Sequence, residues 1–456
     1  MRSIPSCVCS CRKKHKVYWI DPASVLDRRG VLLCCILQMA CATIDPSENG
    51  NEVKPVEKIL WTLNQMPACK DEGSALMTRK QVEGVRAFHR SFPQYHPTPL
   101  QNLAAMAKEL GLGGLYVKDE SYRFDLNAFK VLGGSYAIAR KIAALTGQPM
   151  EKMTYTYLTG PILQRDFPPV TFYTATDGNH GRGVAWAARQ LGQQAVVRMP
   201  KGTSQRRLEN IRKEGATVTI ENMNYDDCVR LAAREAAQNP GSVLMQDTAW
   251  DGYEEIPGWI MQGYGTMAAE AVEQLESVRV QRPTHVFVQA GVGSLAGAMA
   301  GYFANCFPEN PPKVVVVEAR AADCHYRSAV AGDIRTVEGD LATMMAGLAC
   351  GEPNPISWAI LRNHAHAFIS CPDWVSALGM RMLAAPCKGD MPVTSGESGA
   401  VGMGLIAAIM QSETYRDLRT ALQLDQNSHV LLFSTEGDTD PAHYRRIIWG
   451  GEEETI

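Results

Sequence analysis

An α/β fold with open parallel sheets is what this sequence of 456 residues predicts. Three observations carry the prediction. From about residue 97 short apolar runs alternate with amphipathic stretches of helical length, several of those runs feed directly into glycine-rich turns, and the chain is too long for one small core. Taken in order, Leu115 to Val117 reads as a strand and Ala128 to about Ala144 as a helix. Val170 to Ala175 is a strand, Gly181 to Leu191 a helix, and Ala195 to Met199 a strand. Thr203 to Glu214 follows as a helix, Thr217 to Glu221 as a strand, and Tyr225 to Gln238 as a helix. Later strands are His285 to Gln289, Lys313 to Glu318 and Val430 to Phe433. Strands joined by crossover helices are covered on both faces, so they read as continuous apolar runs. The Pro-rich patches at Pro93 to Pro99, Pro308 to Pro312 and Pro353 to Pro355 read as loops.

Composition excludes some partners. With 45 basic against 48 acidic residues the net charge is −3, which gives no general attraction to polyanions, so nucleic acid is not an expected partner. Six of the 13 cysteines, from Cys7 to Cys41, crowd the amino terminus. The others are scattered without metal-ligand spacing and are expected as reduced thiols, with no metal site and a cytoplasmic location. Cys350 and Cys371 flank a Pro-rich loop, with free thiols the expected state. The apolar run Gly30 to Leu37 is too short to span a bilayer, which takes about 20 residues. Residues 1–80 are expected as a poorly ordered extension, with a targeting role as the alternative.

Four stretches carry chemistry. In SYRFDLNAFKVLGGSYA, residues 121–137, Lys130 stands between an aromatic and a Gly-Gly pair. It is either a surface lysine on a first helical turn or an amine held in an apolar pocket to form a Schiff base. Strand 286–289 runs into Ala290-Gly291-Val292-Gly293-Ser294-Leu295 and then a small-residue helix, a turn whose N–H groups cradle a phosphate. Spacing alone leaves a dinucleotide open there, with Glu318 as the ribose acid. Thr176-Asp177-Gly178-Asn179-His180-Gly181 runs from strand to helix, and taken alone is a tight turn capped by Asp177. Ser434-Thr435-Glu436-Gly437-Asp438 leaves a buried strand with two hydroxyls, and taken alone is an ordinary loop.

Taken together the four stretches resemble the fold-type II pyridoxal-phosphate enzymes, which include serine and threonine dehydratases, threonine synthase and the tryptophan synthase β chain. The strings KDESYRF, LNAFKVLGGSYAI, TDGNHGRGVAWAA, MNYDDCVRLA, QDTAWDGYEEIPGWIMQGY, QAGVGSLAG, MAGLACGEPNP, SGESGAVG and STEGDTD are most similar to the diaminopropionate ammonia-lyases, over roughly residues 85–450. The resemblance implies two open parallel-sheet domains with pyridoxal 5′-phosphate in the cleft between them. Residues 81–134 and 253–450 would form the larger domain and 135–252 the smaller. A homodimer acting on a small amino acid, without membrane or nucleic acid, is implied as well.

Carried over by motif, Lys130 would hold the cofactor as a Schiff base, and burial would make its amine a usable base. Gly291, Val292, Gly293, Ser294 and Leu295 would bind the phosphate. Asn179 would meet the 3′-oxygen, and Ser434, with Thr435 as substitute, the pyridine nitrogen. Asp177 is expected as a base for the D-isomer across the ring from Lys130, or as a partner for the distal amine. Asp247 is expected to recognise that amine, or else to cap a turn. His180 is expected to pack in a turn, and Trp186 and Met267 to lie in the core. His285, His325, His364 and His366 carry no recognisable chemistry. The chain departs from the family pattern in placing Asp125 where a glycine is expected, which a left-handed backbone would tolerate. It also adds residues around Tyr155 to Arg165, expected as a surface loop. The implied reaction is elimination of 2,3-diaminopropionate, D and/or L, to pyruvate and two ammonia. The rivals are a serine or threonine dehydratase, a cysteine desulfhydrase, or a cofactor-binding relative without turnover.

Overall fold

The structure is a computed structural model, and it describes residues 57–71 and 73–453. The cysteine cluster and the apolar run at the amino terminus lie outside the described residues. Two sheets organise the rest. The larger is built from β1 (Leu60–Leu63), β2 (Leu100–Asn102), β3 (Gly114–Asp119), β8 (His285–Gln289), β9 (Lys313–Ala319), β10 (Ala365–Cys371) and β11 (His429–Ser434). Their order is β1-β10-β9-β8-β11-β3-β2, parallel except at the edges, where β1 runs antiparallel to β10 and β2 to β3. The smaller sheet comprises β4 (Thr171–Ala175), β5 (Gln194–Met199), β6 (Thr217–Ile220) and β7 (Ser242–Leu244), all parallel in the order β6-β5-β4-β7.

The residues explain these elements. Val314 to Val317 in β9 are β-branched and fully enclosed, which suits a central strand covered on both faces. Helix Glu255–Ser277 is buried almost all round between Ile256 and Val272, so it shows no apolar stripe and escapes a periodicity search. Trp186 and Met267 lie in the core as expected, with Trp186 stacked on Phe92 at 5.8 Å between ring centroids.

Two expectations change. Within the extension expected over residues 1–80, Leu60–Leu63 join the larger sheet, pairing with Ala367 to Ser370. The stretch Tyr155 to Arg165 is two short helices, Tyr155–Leu158 and Pro161–Asp166, and not a loop. Thr154 caps the first helix, and both anchor through buried Leu158 and Leu163.

The fold sets Lys130 in place by two devices. Upstream, Arg123 is fully buried and binds Glu120 at 2.8 Å and Glu270 at 2.8 Å, and Lys118 joins Glu270 at 2.7 Å. This network anchors a tight turn in which Phe124, Asp125 and Asn127 have φ of 49°, 57° and 59°. Asp125 therefore takes up the left-handed backbone that its glycine replacement requires, and its side chain is exposed. Downstream, helix Asn179–Gln190 presses on the chain at Lys130 so closely that a Cβ on Gly183 would lie 2.7 Å from the Val131 nitrogen. Helix Val131–Thr146 starts one residue after the lysine, three residues later than periodicity suggests.

Candidate active site

The carboxyl ends of β3, β8 and β11 meet at one place, with Ser434 in register with Asp119 and Leu432 with Phe287. Ligands of open parallel sheets sit beyond such ends. A cleft of about 710 Å³ opens there. Its wall brings together Lys130, Asp177, Asn179, Asp247, Thr435 and all five residues from Gly291 to Leu295, which lie far apart in sequence.

Lys130 stands at the start of its helix with Nζ 2.9 Å from Asp247 Oδ2. Burial works against the ammonium, but the carboxylate of Asp247, with Tyr264 and Asp177, outweighs it and holds the amine above the ordinary lysine range. Burial alone was expected to loosen this proton, and the Asp247 ion pair is why it does not. Asp247 is 2% exposed. Burial resists its charge too, yet His180 and the Lys130 ammonium hold the carboxyl down at about 2. Burial also depresses His180, so the lysine is the effective cation. His180 donates from Nε2 to the Met245 carbonyl at 2.8 Å, which leaves Nδ1 as a lone pair 3.8 Å from Asp247. It packs in its turn as expected.

The glycine loop between β8 and helix Ser294–Cys306 is held from behind. Gly293 has φ +96°, and a Cβ there would sit 2.3 Å from His325 Nε2. Ser357 Oγ donates to the Gly293 carbonyl at 2.5 Å, and the Asn354 N–H to the Val292 carbonyl at 2.7 Å. Asn354 Nδ2 donates to Ser294 Oγ at 2.8 Å, and Ser294 Oγ to the Asp247 carbonyl at 2.5 Å. The loop and the partner of Lys130 are thus one hydrogen-bonded unit. The first N–H groups of the helix have no acceptor within it and are available to an anion. Behind the loop, Glu318 Oε1 accepts from the His325 N–H at 2.8 Å and lies 2.9 Å from His325 Nδ1, so this buried trio with Cys324 is bonded internally.

The other expected residues divide. Asp177 faces the cleft with Oδ2 3.7 Å from an Arg207 guanidinium nitrogen. Asn179 lies in the wall and donates through Nδ2 to Glu436. Thr435 lines the cleft and accepts from Gln289 Nε2 at 2.7 Å. Ser434 is fully buried outside the cleft wall and donates to Ser395 Oγ at 2.8 Å. Ser434 ends β11 and Thr435 is the first residue beyond it, and of the two hydroxyls Thr435 is the one that lines the cleft. Arg207, Tyr264, Gln289 and Glu436 also line it and were not singled out from sequence. Tyr264, Gln289 and Glu436 fall within the quoted strings, without a role given to them. Cys350 lines the cleft, Cys371 is buried in β10, and both are free thiols.

Comparison with known proteins gives the family. The family described as Pyridoxal-phosphate dependent enzyme matches residues 92–432. A Diaminopropionate ammonia-lyase of Salmonella typhimurium is 55% identical over 370 residues, which is 80% of this chain and 91% of that protein. The protein of the same name from Escherichia coli is 50% identical over 381 residues, covering 84% and 94%. The crystal structure of Diaminopropionate ammonia lyase from Escherichia coli, in complex with an aminoacrylate-PLP azomethine reaction intermediate, superposes with TM-score 0.80 at 47% identity. It covers 88% of this chain and 99% of that one. The residues present fit pyridoxal phosphate: a left-handed glycine at the anion cradle, a lysine whose charge is balanced by a buried acid, and a hydroxyl and an amide on the same wall. The chain belongs to the diaminopropionate ammonia-lyases, within the pyridoxal-phosphate dependent enzyme family.

Proposed function

We propose that this chain eliminates the β-amino group of 2,3-diaminopropionate, as the D and/or L isomer, and with one water yields pyruvate and two ammonia. The observation that carries the reading is the Lys130–Asp247 pair at 2.9 Å, in a cleft that also presents Asp177 and the glycine loop. Lys130 would hold pyridoxal phosphate covalently, the N–H groups from Gly291 to Leu295 its phosphate, Asn179 its ring oxygen, and Thr435, in place of Ser434, its ring nitrogen. When bound, the cofactor supplies an electron sink for the charge left at Cα.

The chain's own residues move the protons. Lys130, freed by the substrate, takes the Cα proton from one face, and Asp247 stabilises the ammonium that results. Asp177 takes it from the other isomer, or draws in the distal ammonium. A positioned base contributes about 10²–10⁴-fold in rate. A hydroxy amino acid would bring no second ammonium group to the cleft's acids. A larger domain of 81–134 and 253–450, a smaller one of 135–252, a homodimer and a cytoplasmic setting belong to the same reading. A sedimentation run that finds only monomer would remove the homodimer.

The test is a pyruvate-release assay of the holoenzyme with D- and L-2,3-diaminopropionate and with serine, on wild type and Asp177→Ala. Turnover of diaminopropionate above serine is expected, with D-isomer turnover lost at least 100-fold in the variant and the cofactor's visible absorption kept. A bound cofactor that yields pyruvate from serine alone would replace the reading by a dehydratase. No pyruvate from any substrate would make the chain a binding protein.

A further inference from the structure

Asn179 cannot orient itself. Its amide nitrogen carries two N–H groups, and rotation of the side chain would exchange donor for acceptor at the cleft. The structure gives it one partner, the Glu436 carboxylate, which accepts from Nδ2. Glu436 is 3% exposed and fixed at both ends. Its Oε1 accepts from the Ser398 N–H at 3.1 Å, at the start of helix Glu397–Gln411. Its carbonyl accepts from the Gly396 N–H at 2.8 Å, and its backbone bridges to Ala128, two residues before Lys130. On either side of that bridge the Phe129 N–H donates to the Thr435 carbonyl and the Gly437 N–H to the Asn127 carbonyl, each at 3.1 Å. The loop that carries Glu436 is therefore sewn to the loop that carries Lys130, while its side chain reaches across to the turn that carries Asn179.

We propose that Glu436 is a positioning residue: it holds the Asn179 amide so that one N–H is spent on the carboxylate and the other is presented to the ring oxygen of pyridoxal phosphate. The inference rests on the reading of this cleft as the cofactor site. The other groups that face Glu436 are mostly acidic. Burial and the carboxylates of Glu397 and Asp177 push its pKa up, and Arg207 and the Asn179 amide pull it down. His443, 2.7 Å from Glu397, completes the surroundings.

The test follows the visible absorption of bound pyridoxal phosphate against pH in wild type, Glu436→Gln, Glu436→Asp, Asn179→Ala and the double variant Glu436→Gln/Asn179→Ala. Cofactor retention is measured alongside by dialysis, and folding by circular dichroism. The Gln variant removes the charge and leaves one acceptor oxygen for two donors, the Ser398 N–H and Asn179 Nδ2, and the Asp variant keeps the charge but shortens its reach, so at least one is expected to fold. Each folded Glu436 variant is expected to shift the spectral midpoint by about one pH unit and to weaken retention about tenfold, and Asn179→Ala to do the same. The double variant is expected to add nothing further, because both changes break one contact. A midpoint that stays at the wild-type value in a folded Glu436 variant, or shifts that sum in the double variant, would overturn the proposal. Wild type that binds no pyridoxal phosphate would instead overturn the reading of the site.

Discussion

Taking the Asp247 carboxylate out of water costs several kcal/mol unless a partner charge restores it, and here the partner is the lysine the chemistry needs. The two groups shift in opposite directions, Asp247 down to about 2 and Lys130 upward, as expected of one shared interaction. The linkage follows for each. A depressed carboxyl contributes stability that is present above its unfolded pKa, near ~3.9, and is lost as pH falls toward about 2. A raised lysine contributes below its unfolded pKa, near ~10.4, and loses that contribution as pH rises through its folded value. The pair therefore supports the cofactor-free fold between roughly pH 4 and 10. Asp247→Asn is expected to cost roughly 3 kcal/mol at pH 7, since it leaves Lys130 buried without its counter-charge. Urea unfolding of the cofactor-free protein would check this: the gap between wild type and variant should narrow by about half between pH 5 and pH 3. A gap that is flat across that range would mean Asp247 is not ionised against Lys130.

The same pair depends on an element, the glycine loop with its helix. Gly293 is its tightest point, because left-handed backbone and contact with His325 Nε2 coincide there. Gly293→Ala is expected to cost about 1–3 kcal/mol in backbone strain alone. It should also raise the dissociation constant for pyridoxal phosphate at least tenfold, measured by fluorescence titration of the cofactor-free variant. Unchanged affinity would show that the cradle lies elsewhere. At this scale the sequence is readable where periodicity is clean. Helix Tyr225–Gln238 and strand His285–Gln289 fall where the apolar spacing puts them. Helix Glu255–Ser277 does not, since a helix apolar on all sides has no period to find. The same limit applies to the site. Lys130, Asp177, Asn179 and the loop announce themselves through local motifs. The choice between Ser434 and Thr435 depends on how the chain leaves the end of its strand, and Arg207 reaches the cleft from a helix and Glu436 from a loop that only the closed fold brings together.

Over the whole molecule charge is nearly balanced at −3, but the cleft is not. Its wall carries Asp177, Asp226, Asp247, Asp340, Asp373, Glu436 and Asp440 against Lys130, Lys201 and Arg207. A phosphate bound at the glycine loop adds to the negative side. A concave site with an excess of one sign of charge focuses its field outward and raises the local concentration of a substrate of opposite sign. Diaminopropionate differs from serine in one group, an amine in place of a hydroxyl, and when that amine is protonated the whole molecule is a cation while serine stays neutral. The field therefore discriminates before any contact is made. Salt screens it, with a Debye length of about 10 Å at 0.1 M and about 3 Å at 1 M. Raising ionic strength across that range at a pH where the distal amine is charged should lower kcat/KM for diaminopropionate several-fold and leave kcat nearly unchanged, because screening acts on encounter. Any residual turnover of serine should show no such slope, so the ratio of the two specificities should fall with salt. Equal slopes for both substrates would place the selection in direct contacts at Asp177 and Asp247, and would remove the acidic cleft as a source of specificity.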